Sequence, residues 1–335
     1  MKSSVVLRRL AVFVPAAFIL SAQGSGVSAA RPEAAGARGY PDRPVRMIVP
    51  FVPGGGSDTI ARMVGPKLAE ALGRPLVIDN RAGAGGTVGV DLVAKAAPDG
   101  YTLLLGTPGG LSVNPNLRRT PYRLSDFAPI TQLSTSPLVV VLHPSVPANS
   151  VKELIAMARA KPGQLNFGSS GNGSIEHLGG ELFKTMTGVN LTHIPYKGAA
   201  LSIADLLGGQ IQILFENMPP VLGHIRSGKL KALGVAAARR SAFLPDIPTV
   251  GEAGVPGYEA SSWFGVLAPA ATPKPIVARL NALIVNVLQM REIRERLAGM
   301  GFEPVGNTPE QFGEYLKAKM AEIGKLIKAA DLKLE

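Results

Sequence analysis

Val45-Arg46-Met47-Ile48-Val49-Pro50-Phe51-Val52-Pro53-Gly54-Gly55-Gly56-Ser57-Asp58 decides how the chain folds. Residues 45–51 form a compact apolar run, the pattern of a buried strand, and Pro53 to Gly56 leads out of it through a glycine loop. Ser57 or Asp58 stands where a helix N-cap is wanted. Ile60, Val64, Leu68 and Leu72 follow four residues apart on one helix face, and Gly73 stops the helix. A second strand at 76–79, a second glycine loop at 80–86 and a second helix at 88–96 come next. Asp99-Gly100 makes a turn into a third strand at 101–106. This run of βαβ units implies a parallel sheet covered by helices.

The same grammar restarts further along. Residues 138–142 read as a strand, and Ser150-Val151-Lys152-Glu153 has the form of a capping box that opens a helix. A strand at 165–168 ends in Ser169-Ser170-Gly171-Asn172-Gly173-Ser174, and Ile175, Leu178 and Leu182 carry the helix after it. Further strands are expected at 211–215, 230–236 and 263–268. Helices at 275–290 and 309–327 close the chain. The fold class is therefore α/β, with two units of similar grammar and no short-period repeat.

Composition bounds the function. The chain has 335 residues, with 46% hydrophobic and 18% charged, which suits two packed domains rather than disorder. It has no cysteine, which excludes disulfides, thiolate metal sites, a cysteine nucleophile and a lipidated cysteine anchor. The net charge of +11 attracts anions at long range. The basic residues are dispersed and aromatics make up 5%, which counts against a nucleic-acid surface.

The N-terminus reads as a secretory signal peptide over 1–30. Lys2, Arg8 and Arg9 make a positive start, residues 10–20 are a short apolar run, and Val27-Ser28-Ala29-Ala30 supplies small residues for cleavage. The run is short for a membrane span. Residues 31–40 are expected to be a flexible lead-in, and the mature product to lie in the periplasm.

In open α/β sheets, ligands sit beyond the carboxyl ends of the strands. Two loops stand there: Phe51 to Asp58, and Gly168-Ser169-Ser170-Gly171-Asn172-Gly173-Ser174. Glycine lets backbone N–H groups approach a ligand, and the start of a helix favours an anion. Each loop is a candidate half of a carboxylate clamp, and each is also what a plain tight turn looks like. Enzyme motifs fail on inspection. There is no P-loop, and Gly83-Ala84-Gly85-Gly86-Thr87-Val88-Gly89 has the wrong spacing for a dinucleotide fingerprint. Gly168-Ser169-Ser170-Gly171-Asn172 does not complete a nucleophile elbow. His143, His177, His193 and His224 lack metal-ligand spacing. Asp79, Asp99 and Glu216 show no acid/base pairing. Asp58 is a ligand contact or a cap, with the cap favoured. Trp263 reads as core or hinge packing.

Several segments in one order resemble the substrate-binding proteins of tripartite tricarboxylate transporters, the Bug family. They are Tyr40-Pro41 with Pro44-Val45; Pro53-Gly54-Gly55-Gly56-Ser57-Asp58; Asn80-Arg81-Ala82-Gly83-Ala84-Gly85-Gly86; Ala97-Pro98-Asp99-Gly100-Tyr101-Thr102-Leu103; Asn166-Phe167-Gly168-Ser169-Ser170-Gly171; Pro195-Tyr196-Lys197-Gly198; Asp246-Ile247-Pro248-Thr249-Val250; and Trp263-Phe264-Gly265. The resemblance implies a two-lobed Venus-flytrap fold. Lobe 1 would comprise 41–128 and 255–335, and lobe 2 would comprise 129–254. It implies a monomeric receptor for a small carboxylate, without cofactor or metal, that serves a transporter of one large and one small integral subunit. Carried over by position, the first-lobe contacts are Phe51, Gly55, Gly56, Ser57, Asp58 and Thr107. The second-lobe contacts are Ser169, Gly173, Ser174 and His177, with Lys197, Gly198 and Ala199 near the mouth. Glu216 stands where the family usually has aspartate. The alternatives are a sensor that presents the bound acid to a membrane receptor, and an enzyme acting on small acids.

Overall fold

The computed structural model describes residues 39–329. The expected signal peptide, and all but the last two residues of the lead-in, lie outside the described residues. In chain order the elements are β1 (Val45–Val49), α1 (Gly56–Leu72), β2 (Leu76–Asn80), α2 (Thr87–Ala94), β3 (Thr102–Gly106), α3 (Asn114–Leu117), β4 (Phe127–Leu142), α4 (Val151–Ala160), β5 (Asn166–Ser169), α5 (Ile175–Thr187), β6 (Thr192–Pro195), α6 (Ala199–Leu207), β7 (Ile213–Asn217), α7 (Met218–Arg226), β8 (Lys231–Val235), β9 (Ser261–Pro269), α8 (Lys274–Gln289), α9 (Arg291–Gly299), β10 (Glu303–Pro304) and α10 (Pro309–Ala329).

The strands run in the order β2-β1-β3-β9-β4-β7-β5-β6, with β8 and β10 also pairing with β4. β1 is parallel to β2 and β3, and β5 is parallel to β6 and β7. These are the two βαβ runs that the sequence announces. The antiparallel pairs gather at the junction between them. There β4 pairs with β9 from Phe127 to Pro137, then with β7 and β8 from Leu138 to Leu142. Two sheets therefore share one strand. Backbone bonds close the seam: Leu138 N–H to Ala260 O at 2.9 Å, Ala236 N–H to Leu138 O at 2.8 Å and Ala260 N–H to Ala236 O at 3.1 Å.

Side-chain alternation covers both faces of each sheet. Val45, Met47 and Val49 join one core with α1, α8 and α9, while Ile48 and Leu104 join another with α2 and the start of α10. In the second sheet Leu138, Val140 and Leu142 pack with α4 and α5, and Val139 and Val141 with α6 and α7. α10 belongs to both halves. Phe312 and Leu316 enter the core beneath Trp263, and Ile323 and Ile327 enter the core around Phe183.

Several expectations need adjustment. The strand expected at 138–142 starts at Phe127 and is sixteen residues long. Pro129, Pro137 and the polar stretch between them hide it. Register shifts at Pro129/Thr131 and Gln132/Ser134 let the ladder accommodate them. Neither Ser57 nor Asp58 caps α1, because the N-cap position is Gly55, which has no side chain to offer. Asp58 instead reaches back from the first turn and accepts from Gly54 N–H at 3.0 Å. Gly73 ends α1 in the left-handed conformation, as read from the sequence. Ser150 accepts from Glu153 N–H at 3.2 Å, but the Glu153 carboxylate takes the N–H of Asn149 rather than of Ser150 itself.

Trp263 is 1% exposed and sits edge-on to Phe312, with ring centroids 5.7 Å apart. A Cβ on Gly265 would lie 2.2 Å from Phe312 Cζ, so the ring is seated directly on the strand. Phe312→Ala removes this anchor and should lower unfolding stability by about 3–5 kcal/mol. Urea denaturation read at the midpoint checks it, and a shift under about 1 kcal/mol would show that α10 is dispensable for the core.

Candidate functional site

Between the two sheets lies a narrow cavity. One wall comes from the first βαβ run: Phe51 and Gly55 of the loop after β1, Gly56 and Ser57 at the start of α1, and Thr107 and Gly109 just past β3. The other comes from the second run: Ser170 after β5, Ile175 and Glu176 at the start of α5, Asn217 at the end of β7 and Ala199 at the start of α6. Ser262 and Phe264 of β9 lie between them.

The α1 wall is built to receive an anion. The first intrahelical bond runs from Thr59 N–H to Gly55 O, so the N–H groups of Gly56, Ser57 and Asp58 precede the helix ladder. The positive end of the helix dipole adds to them, with the hydroxyls of Ser57 and Thr107 close by. Asp58 itself is turned away from the cavity. Its carboxylate accepts from Gly54 N–H at 3.0 Å, Arg62 Nε at 2.9 Å and Asn80 Nδ2 at 3.0 Å. Burial works to raise its pKa, and those three donors more than offset this, so it stays ionised. Asp58 therefore shapes the loop that presents the N–H groups.

The opposite wall carries acid groups. Glu176 accepts from Ser170 Oγ at 2.6 Å and from Asn217 Nδ2 at 2.5 Å. Glu216, at the end of β7, accepts from Asn217 N–H at 2.9 Å and from Asn217 Nδ2 at 3.3 Å. Burial is the largest influence on both carboxyls and raises both pKa values; the charge of Glu176 raises that of Glu216 further. Ser170, the Glu176 N–H, Ser174 and Asn217 pull Glu176 back only in part. Among the described residues neither carboxyl has an ion-pair partner.

The two walls touch. A Cβ on Gly55 would lie 3.4 Å from Ala199 Cβ, and one on Gly85 would lie 2.3 Å from Asn172 O. Asn114, fully buried, shares its amide hydrogens among Gly85 O at 3.0 Å, Gly109 O at 3.0 Å and Gly173 O at 3.2 Å. One side chain thus fastens a loop of the second half to two loops of the first. Gly173 has φ +77°, and a Cβ there would strike Asn114 Oδ1, so only glycine fits at this crossing.

Of the residues expected to bind, Phe51, Gly55, Gly56, Ser57, Thr107 and Ala199 line the cavity. Ser169, Gly173, Ser174 and His177 support the loop behind its far wall. Ser174 caps α5 by accepting from His177 N–H at 3.2 Å, and His177 Nδ1 accepts from Gly173 N–H at 3.2 Å. The His177 ring stacks on His193 with centroids 4.1 Å apart, and His193 Nε2 lies 2.7 Å from Ser169 Oγ. Burial, aided by Lys184, lowers His177 to about 4. Burial, then His177 and Lys184, lowers His193 to about 3. Both rings are neutral near pH 7. Lys197 is exposed, and Gly198 abuts Val52. Sequence reasoning missed Glu176, Asn217, Ser262 and Phe264, together with Ile175 and Gly109, and held Ser170 only as part of the serine-glycine loop. Position alone offered a signal for Glu176, the second residue of the helix that follows the serine-glycine loop.

Known proteins resemble this chain over most of its length. The family described as Tripartite tricarboxylate transporter family receptor matches residues 60–332. Protein BugT of Bordetella pertussis is 42% identical over 302 residues, covering 88% of this chain and 92% of that one. Rpa4515 of R. palustris, solved with adipate, is 39% identical with a TM-score of 0.85, covering 88% of this chain and 99% of the other. MatC from Rhodopseudomonas palustris, solved with malate, is 32% identical with a TM-score of 0.83, covering 86% of this chain and 100% of the other.

The paired carboxyls predict a pH dependence. A raised carboxyl pKa means the folded chain holds a proton that the unfolded chain releases. That penalty is absent in acid and grows as pH rises from the ordinary carboxylate range through the raised values. Glu216→Gln removes it, so the Tm of the variant relative to the parent should climb steadily from pH 5 to pH 8. A difference that stays flat across that range would refute the buried-pair account.

Proposed function

The chain belongs to the tripartite tricarboxylate transporter receptor family, and on that premise we propose that it captures a small carboxylate-bearing solute in the periplasm and delivers it to a membrane transporter of that family. The observation that carries this reading is the start of α1, whose unbonded N–H groups meet Ser57 and Thr107 at the wall of a cavity between two α/β halves. Relatives solved with adipate and malate bring small acids into the same class of site. The signal-like N-terminus supports export, and the family supports a partner composed of one large and one small integral subunit.

The working cycle needs no covalent step. Solute enters between open lobes, and contacts to both walls favour the closed arrangement that the membrane subunits would recognise. The lobes expected from the sequence are 41–128 with 255–335 against 129–254; we draw the first boundary at Pro137/Leu138, where β4 exchanges partners, and take the lobes to turn about that seam. A carboxylate held by neutral N–H groups at a helix start keeps hydrogen bonds in place of water. Asn114 and the glycines facing it belong to the closed form.

A thermal-shift screen with mono-, di- and tricarboxylates against uncharged amides tests the reading. An acid at a hundredfold excess over its Kd should add about 2.7 kcal/mol of stability. Ser57→Leu fills the cavity beside the N–H groups and should weaken binding at least tenfold, about 1.4 kcal/mol, with the Tm of the empty protein little changed. A response to amides equal to that of acids, or unchanged affinity in Ser57→Leu, would refute the α1 clamp.

A further inference from the structure

We propose that the wall opposite α1 selects an ammonium group, so that the solute is a zwitterionic amino acid rather than a dicarboxylate. The proposal rests on the carboxylate-receptor reading above and adds to it the nature of the ligand's other end.

Asn217 lines the cavity and is 5% exposed. Its Nδ2 is spent on Glu176 Oε1 and Glu216 Oε1, while its Oδ1 has no donor. Glu216 Oε2 is likewise buried without a donor. Glu176 lines the cavity with its carboxyl held by Ser170 and Asn217. Of these groups, Asn217 and Glu176 line the cavity, and Asn217 Oδ1 is an acceptor there without a donor, which is costly when buried. An ammonium brings three donors and a positive charge.

The same arrangement discriminates against a second carboxylate. The start of α5 is the counterpart of the start of α1, and a second anion would be expected there. Glu176 is the second residue of α5, and Ser174 and its own N–H act on its carboxyl to lower its pKa. The helix start is therefore already occupied by the protein's own acid group. A ligand carboxylate approaching it meets like charge or a carboxyl, which is a repulsive element that narrows specificity. Burial raises both carboxyl pKa values, and a cation placed beside the pair would offset that cost.

Calorimetry on matched acids tests the proposal: 4-aminobutyrate against butyrate and succinate, 5-aminovalerate against valerate and glutarate, and L-glutamate against glutarate. At least one amino member should bind tenfold tighter than both its des-amino and its diacid partner. That binding should release protons, read as a heat that depends on the buffer's ionisation enthalpy. Glu176→Gln, its folding checked by Tm, should reduce amino-acid affinity at least tenfold and erase the margin. A des-amino acid or diacid that equals or exceeds every amino partner overturns the ammonium assignment and leaves the carboxylate receptor standing. No binding by any acid of the panel overturns both. The wild-type comparison decides the matter even if Glu176→Gln does not fold.

Discussion

Between Pro137 and Leu138, β4 leaves β9 and takes up β7 and β8 without a break in its backbone. Both sheets therefore share one strand, and the loops that leave β1, β3, β5 and β7 face each other across it. β9 runs beside β4 on this seam and sends Ser262 and Phe264 to the cavity. The cavity exists because this shared strand brings two helix starts into opposition.

Much of this was legible in the residues. The apolar run before Pro53, the glycines after it and the four-residue spacing from Ile60 to Leu72 specify strand, turn and helix almost to the residue. The second unit repeats that grammar at Ser169 to Leu182. Local pattern suffices there because each element is apolar on the face or faces it buries. It fails for the first part of β4, where Thr131, Gln132, Ser134 and Ser136 are buried polar residues. Asn307, far along the chain, satisfies part of that stretch, accepting from Gln132 N–H at 2.8 Å through Oδ1 and from Thr131 Oγ1 at 2.7 Å through its carbonyl. Such pairings join residues more than 170 positions apart and leave no local trace.

The site divides the same way. The α1 wall is mostly one stretch, Phe51 to Ser57, joined by Thr107 and Gly109 from beyond β3, and its role follows from glycine, serine and helix start together. The opposite wall is assembled chiefly from α5 and β7, and no spacing rule links Glu176 to the adjacent Glu216 and Asn217. Their meeting is a product of β5 and β7 being neighbours in the sheet. His177 has the residue type of a ligand contact, yet its ring is used to hold Gly173 and to stack on His193. The residue type indicated chemistry, whereas the neighbours decided which way the chemistry faced.

α10 places Phe312 in the core of one half and Ile327 in the core of the other, and Asn116 Nδ2 ties its Met320 carbonyl to α3 at 2.9 Å. This helix is the last described segment that a ribosome would deliver. Until it arrives, the first half has a vacancy beneath Trp263 and the second has one beside Phe183. Neither half can reach full stability on its own, although each has nearly all of its strands. The two halves therefore become fully packed together, when this helix docks across both cores.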